Sequence, residues 1–340
     1  MTPDSDIPWL NADWRAEALA WADAVLADRG VAIAGEVEQP HAVWWSTALR
    51  IPTSDGPVWL KAMQPQGVFE VRLTPWLAAC WPERTVEVIA VAEERGWMLS
   101  RDAGTRLREA TDRPPVEHWT RLLPRYAEIQ IAAAAHRDDL LALGVPDRSP
   151  KQLASDLRAT LDEPESLMLG QEPDGLSAED HARARASVDG FAGDCGRLVE
   201  MGIPDTIQHD DLHDGNAFRR GGDYVVFDWG DACISHPFHT LAVTLRALAY
   251  SHKWAPGGSA ISRLIDAYLE PWTGQRSPAE LREALKLARR TGTIGRAMAW
   301  RSYAQAMPPA VRVENIDAVP YGIRLWLADA PWGTWDDGTF

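Results

Sequence analysis

The sequence predicts an α+β fold in two parts: a small antiparallel-sheet lobe followed by a larger helical lobe. Two observations carry this reading. Between residues 31 and 100, short β-branched and aromatic runs alternate with turn residues, and one helical stretch is inserted among them. Beyond Thr111-Asp-Arg-Pro-Pro115, apolar residues recur at helical spacing almost to the C-terminus, broken by one strand-like island at 206–228. The boundaries implied are 1–30 for an N-terminal helical extension, 31–110 for the sheet lobe and 111–340 for the helical lobe.

The elements follow in order. Asn11 or Asp13 caps a helix carrying Trp14, Ala18, Trp21, Val25 and Leu26, which Gly30 ends. Strands are expected over 31–37 and 42–51, with their turn near Glu38-Gln-Pro-His41, and again at Val58–Ala62 after the turn Thr53-Ser-Asp-Gly56. A helix over 67–80 precedes strands at 86–92 and 97–100. Helices are then expected at about 116–143, 151–162, 177–201, 237–252, 259–271, 278–306 and 313–329. Within the island, Arg219-Arg-Gly-Gly-Asp223 reads as a hairpin turn.

Composition narrows the function. Acidic residues exceed basic ones by 49 to 34, a formal charge of −15 that repels nucleic acid and anionic lipid. Three scattered cysteines, Cys80, Cys195 and Cys233, fit neither a disulfide framework nor a zinc site, and point to a reducing compartment. The acidic N-terminus does not read as a signal peptide, and no apolar run is long enough to span a bilayer. A cytoplasmic protein with a small-molecule partner is the expectation.

The island holds the chemistry. It reads Ile207-Gln-His209-Asp-Asp211-Leu-His213-Asp-Gly-Asn216-Ala-Phe218, followed by Tyr224-Val-Val-Phe-Asp228-Trp-Gly-Asp231. The apolar run behind the polar groups argues for a buried hairpin end and against a solvated loop. A transition-metal site on His209, Asp211 and His213, as in a metal-dependent hydrolase, is one reading. Those three alternate within five residues, which crowds them as metal ligands unless a fourth comes from elsewhere. Phosphoryl transfer is another, because a carboxylate beside an acceptor hydroxyl, an amide and a second carboxylate occur in the order Asp211, Asn216, Asp228. A polar loop that merely caps neighbouring helices is the third.

His209-Asp-Asp-Leu-His-Asp-Gly-Asn216 resembles the H-G-D-L-H-x-x-N catalytic loop of the aminoglycoside phosphotransferase family, which includes choline, homoserine and sugar kinases. Phe227-Asp228-Trp229 is similar to that family's I-D-W element, the counterpart of the protein-kinase D-F-G. The resemblance implies a bilobal, protein-kinase-like fold with nucleotide in the cleft between lobes. It implies transfer of the γ-phosphoryl group of ATP or GTP, with Mg²⁺, to a hydroxyl of a small molecule. It gives Asp211 as catalytic base, Asn216 and Asp228 as metal ligands, and loop-ordering roles to His209 and His213. Asp210 departs from the pattern, since the family usually has glycine there.

The same family places a lysine on the third strand, paired with a glutamate of the next helix. Lys61, the only lysine of the first 150 residues, stands in the apolar Val58-Trp-Leu-Lys61-Ala-Met, where a charge needs a reason. Glu70 is its natural partner and Glu83 a weaker one. Trp97-Met-Leu-Ser100-Arg-Asp102 resembles the strand and hinge that meet adenine, with Ser100 and Asp102 at the hinge. The turn that covers phosphates is glycine-free, which argues against a protein kinase. A kinase-like chain that binds nucleotide without turnover is the alternative from another class. The acceptor is read as an aminoglycoside, amino sugar or similar metabolite, with Asp231, His236, His239, Trp300 and Tyr303 as candidate acceptor contacts. Seventeen tryptophans suit either an aromatic-lined pocket or core packing.

Overall fold

The computed structural model describes residues 7–308 and 317–334. The first residues of the helix expected at 313–329, and Trp335, therefore lie outside the described residues. The chain divides into two compact units. The first contains residues 7–106, 217–230 and 306–308, the second residues 107–216, 231–305 and 317–334.

In the first unit, helix α1 (Ala12–Ala27) begins where the Asn11 side chain accepts the Asp13 backbone N–H at 2.7 Å. Five antiparallel strands follow: β1 (Glu38–Val43), β2 (Ser46–Ile51), β3 (Val58–Met63), β4 (Val88–Ala92) and β5 (Trp97–Arg101). Their order in the sheet is β1-β2-β3-β5-β4. Alternation sorts β3 into two faces. Val58, Leu60 and Ala62 pack with Leu49, Ile51, Trp97 and Leu99 against Ala18, Ala22 and Leu26 of α1. Met63 and Met98 lie on the other face with Val71 of helix α2 (Glu70–Cys80). Lys61 shares that second face, in the cross-strand row His41–Ala48–Lys61–Met98. The helix of residues 12–27 is thus the second layer of the sheet's core. Trp9, Trp14, Trp21 and Trp97 meet edge-to-face there, with ring centroids 5.3–6.3 Å apart.

One strand boundary differs from the sequence expectation. Residues 31–37 make only an isolated bridge, Ile33 to Thr53, and 38–41 belong to β1. The alternating Val31, Ile33 and Val37 pack on the α1 core instead of extending a ladder. Pro40, which lacks a donor, sits at the register shift between Glu38 and His41 on the edge strand. The turn joining the first two strands is therefore Trp44-Trp45, also without glycine.

A second, three-stranded sheet completes this unit: β6 (Thr105–Arg106), β8 (Ala217–Arg220) and β9 (Asp223–Val226), with β8 central. Gly104 precedes β6 at φ +103, and a Cβ there would meet the Arg219 carbonyl oxygen at 2.3 Å. Only glycine fits so close an approach.

The second unit is mainly helical: α3 (Pro115–Ala133), α4 (Arg137–Ala142), α5 (Pro150–Thr160), α6 (Ala178–Glu200), α7 (Thr240–His252), α8 (Ser259–Leu269), α9 (Pro278–Ala306) and a last described helix, Ala318–Leu327. Leu153, Leu157, Phe191, Cys195, Ile294, Met298 and Ile323 form one core cluster. Strands β7 (Thr206–Gln208) and β10 (Cys233–Ser235) pair antiparallel and bracket the polar loop. Gln130 of α3 pins that pair: its Nε2 donates to the Ile207 carbonyl at 3.0 Å, and its own carbonyl accepts the Thr206 hydroxyl at 2.7 Å. The two-residue β6 and three-residue β10 are too short to show a period in sequence.

Candidate active site

The first unit gathers Lys61, Glu70 and Asp228. Lys61 Nζ donates to Glu70 Oε2 at 2.6 Å and also to Asp228 Oδ1. The Lys61 side chain is 9% exposed and that of Glu70 is fully buried, so the ion pair is held away from water. Burial works against the charge on Lys61, but the facing Asp228 and Glu70 carboxylates outweigh it and raise its pKa, so the ammonium stays charged. The other Glu70 oxygen accepts the Trp229 backbone N–H at 3.0 Å. Asp228 adopts φ +66, a left-handed conformation that a short polar residue tolerates. At Gly230 a Cβ would lie 3.0 Å from Glu70 Oε2, so a side chain there would press on the pair.

Ser100 and Asp102 are occupied in other ways. Ser100 is buried in β5 between Trp59 of β3 and Val88 of β4. The Asp102 carboxylate accepts the Trp59 indole N–H and the Gly104 backbone N–H, each at 2.8 Å.

In the second unit the polar loop is built around Asp211. Asn216 Nδ2 donates to Asp211 Oδ2 and to the Asp211 carbonyl, each at 3.0 Å. Arg296 Nη2, from α9, donates to Asp211 Oδ1 at 3.1 Å, and His213 Nε2 stands 3.4 Å from Oδ2. Burial would raise the Asp211 pKa, but Arg296 and then His213 outweigh it and hold the carboxyl well below the usual carboxylate range. His213 moves the other way. Burial opposes its charge, yet Asp211 and Asp214 raise it to about 9. His209 is fully buried; its backbone N–H reaches the Tyr126 hydroxyl at 2.8 Å, and its Nδ1 accepts the Asp211 N–H at 3.3 Å.

His213 Nδ1 accepts the Gly215 N–H at 2.9 Å, so both histidines serve as loop-ordering groups. Among the described residues, no cluster of three or more His, Cys, Asp or Glu side chains has a geometry that could hold a metal ion, so His209, Asp211 and His213 are not brought together as a ligand set. The donor chemistry at Asn216 and Asp228 does suit a hard cation. With its N–H on Asp211, Asn216 has its amide oxygen left to give, and the Asp228 side chain is 47% exposed.

The acceptor candidates separate. His239 is a core residue, with Nδ1 on the Ser235 hydroxyl and Nε2 on that of Thr291, both at 2.8 Å. His236 is buried beside it, its ring centroid 5.6 Å away. Asp231 Oδ2 faces Arg296 Nη1 at 3.4 Å, and the Arg296 guanidinium lies 5.4 Å from the Trp300 ring, itself 6.2 Å from that of Tyr303. Sequence reading missed Arg296. The available signal was a single cation within the apolar stretch Gly295-Arg-Ala-Met-Ala-Trp300.

Solved structures resemble this fold over most of the chain. A choline kinase from Streptococcus pneumoniae is 13% identical, with a TM-score of 0.59, covering 92% of this chain and 99% of that one. A choline kinase from Cryptosporidium parvum is 11% identical, with a TM-score of 0.58 and coverages of 86% and 88%. A macrolide 2′-phosphotransferase from Brachybacterium faecium is 17% identical, with a TM-score of 0.56 and coverages of 88% and 98%. No curated protein matches significantly by sequence. The fold is that of the protein-kinase-like small-molecule kinases. The phosphotransferase enzyme family model matches residues 57–284, well over half of the chain and the whole span from Lys61 to Asp228, and the chain belongs to that family.

Proposed function

We propose that the protein transfers the γ-phosphoryl group of ATP or GTP to a hydroxyl of a small molecule, with Mg²⁺. One observation carries the reading: a buried lysine shared between a helix glutamate and the half-exposed aspartate of the Phe227-Asp228-Trp229 element. A buried ammonium held in this way suits a phosphate. In this reading Lys61, steadied by Glu70, orients the α- and β-phosphates, and the backbone around Ser100 and Asp102 meets the base. Asn216 and Asp228 hold Mg²⁺, which when bound neutralises charge on the phosphates.

Asp211 is the base. Its depressed pKa makes it a weak one, so it orients the acceptor hydroxyl first. The proton passes to its carboxylate late, as the oxygen–phosphorus bond forms and the bridging oxygen leaves with the nucleoside diphosphate. The acceptor is proposed to be an aminoglycoside, amino sugar or similar hydroxylated metabolite. A cytoplasmic setting is supported by three unpaired cysteines, and no described helix is long and apolar enough to cross a membrane.

The test is ADP release from Mg-ATP across a panel of aminoglycosides, amino sugars, neutral sugars, choline and homoserine. Turnover with one class supports the reading and names the acceptor. Binding of Mg-ATP without turnover on any of them would instead favour a chain that only holds nucleotide.

A further inference from the structure

Asp210 occupies the position before the proposed base, at φ +59, where the family pattern has glycine. Its side chain is 2% exposed. Oδ1 accepts the Gln208 amide at 2.8 Å, but Oδ2 has no hydrogen-bond partner. The nearest cations are Arg148 Nη1 at 3.5 Å and Arg296 Nη1 at 3.9 Å. Arg296 shows the complementary defect. Its Nη2 is bonded to Asp211 Oδ1, while its Nε and Nη1 are buried without a hydrogen bond.

A buried polar atom left unsatisfied is destabilising, and more so when charged. Here two orphans of opposite charge face each other about an ångström beyond bonding distance. A small shift of the guanidinium would satisfy both, with Asp231 Oδ2, 3.4 Å from Nη1, as a further acceptor.

We propose that Arg296 is a positioning residue with two stations, one on Asp211 Oδ1 and one on Asp210 and Asp231. Without an acceptor it covers the oxygen that the acceptor hydroxyl must reach. When that hydroxyl arrives, the guanidinium moves to the second station and makes the bonds that Asp210 Oδ2 and Nη1 lack. Asp210 is the receiving group, which accounts for a carboxylate where glycine would satisfy the backbone. The device shields Asp211 from water in the idle enzyme. The proposal rests on the phosphotransferase reading of Asp211.

The experiment compares wild type with Arg296→Gln, Arg296→Lys and Asp210→Asn, reading ADP release from Mg-ATP in water alone and with the acceptor selected from the panel above. Arg296→Gln should raise the water reaction roughly tenfold, a fraction of what a positioned base contributes, and lower kcat/KM for the acceptor. Arg296→Lys should restore the suppression of the water reaction. Asp210→Asn, which tolerates the same backbone, should lower acceptor kcat/KM about tenfold, leave the water reaction low and leave KM for ATP within about twofold. A merely structural role would depress both reactions together, and an unchanged ratio of the two across all variants overturns the proposal. Wild type that is stabilised by Mg-ATP yet turns over with no acceptor overturns the phosphotransferase reading itself, a different result.

Discussion

Glu70 holds Lys61 at 2.6 Å with one carboxylate oxygen and the Trp229 backbone at 3.0 Å with the other. A side chain from the first turn of α2 therefore fixes both the strand lysine and the backbone next to Asp228. Neither oxygen of Glu70 is left to meet a ligand.

Removing Lys61 should have two separable effects. Lys61→Met strands Glu70 in a fully buried position, a loss of about 3–5 kcal/mol. Adding Glu70→Gln should recover much of that stability. Neither variant should recover the rise in melting temperature that Mg-ATP gives wild type by binding only the folded state. A full thermal shift in the stable double variant would reduce Lys61 to a strand-core lysine.

Asp211 and Asp228 should separate by role. Asp211→Asn keeps size and reach but cannot take a proton. With Mg²⁺ or Mn²⁺ it should lose about 10²–10⁴-fold in kcat while still binding nucleotide. Asp228→Asn should weaken metal-dependent nucleotide binding together with turnover, seen by titration calorimetry with and without Mg²⁺. Near-normal kcat in Asp211→Asn on an authentic acceptor would remove it as the base.

Asp210 makes a prediction in pH. Burial, partly offset by Arg296 and Arg148 and reinforced by Asp231 and Asp211, raises its carboxyl from 3.8 to about 6. A raised folded-state pKa gives stability that is complete below about pH 3.8 and lost as pH rises through about 6. Between pH 5 and pH 7.5, wild type should lose about 1.4 kcal/mol relative to Asp210→Asn, measured by urea unfolding at each pH. A stability difference that stays flat across that window would mean that Asp210 is ionised at both pH values.

Gly104 tests the joint between β6 and β8. A Cβ would meet the Arg219 carbonyl at 2.3 Å from a backbone at φ +103. Gly104→Ala should cost more than about 3 kcal/mol, since neither the dihedral nor the space can be relieved without moving the hairpin. Alanine melting within a degree or two of wild type would show that this contact yields easily.

Much of this arrangement is legible in sequence because it breaks local rules. A lysine inside Val58–Met63 has no reason to be there without a counter-charge, and the structure supplies Glu70 in preference to Glu83. Asp211, Asn216 and Asp228 stand out as polar groups set among apolar ones. The helices are visible by period, and α9 spans residues 278–306. Packing conceals the rest. Val31, Ile33 and Val37 alternate as a strand does, yet serve the α1 core, which displaced the expected β1–β2 turn from Glu38–His41 to Trp44-Trp45. Arg296 lies 85 residues from Asp211, and only folding makes them neighbours.

The pairing of Thr105 with Arg219 has a consequence for how the protein is made. A chain leaving the ribosome carries Lys61 and Glu70 long before Asp228 exists, and more than a hundred residues of the helical unit emerge in between. During that interval the β6 edge has no partner, and Val86 and Ala103 lack the Phe218 and Val225 that later cover them. The nascent protein thus exposes a sticky surface for many seconds of synthesis at about 5–20 residues per second. Truncation near residue 110 would make that state permanent. The sheet unit is accordingly a poor candidate for expression as an N-terminal fragment, however self-contained its first five strands look.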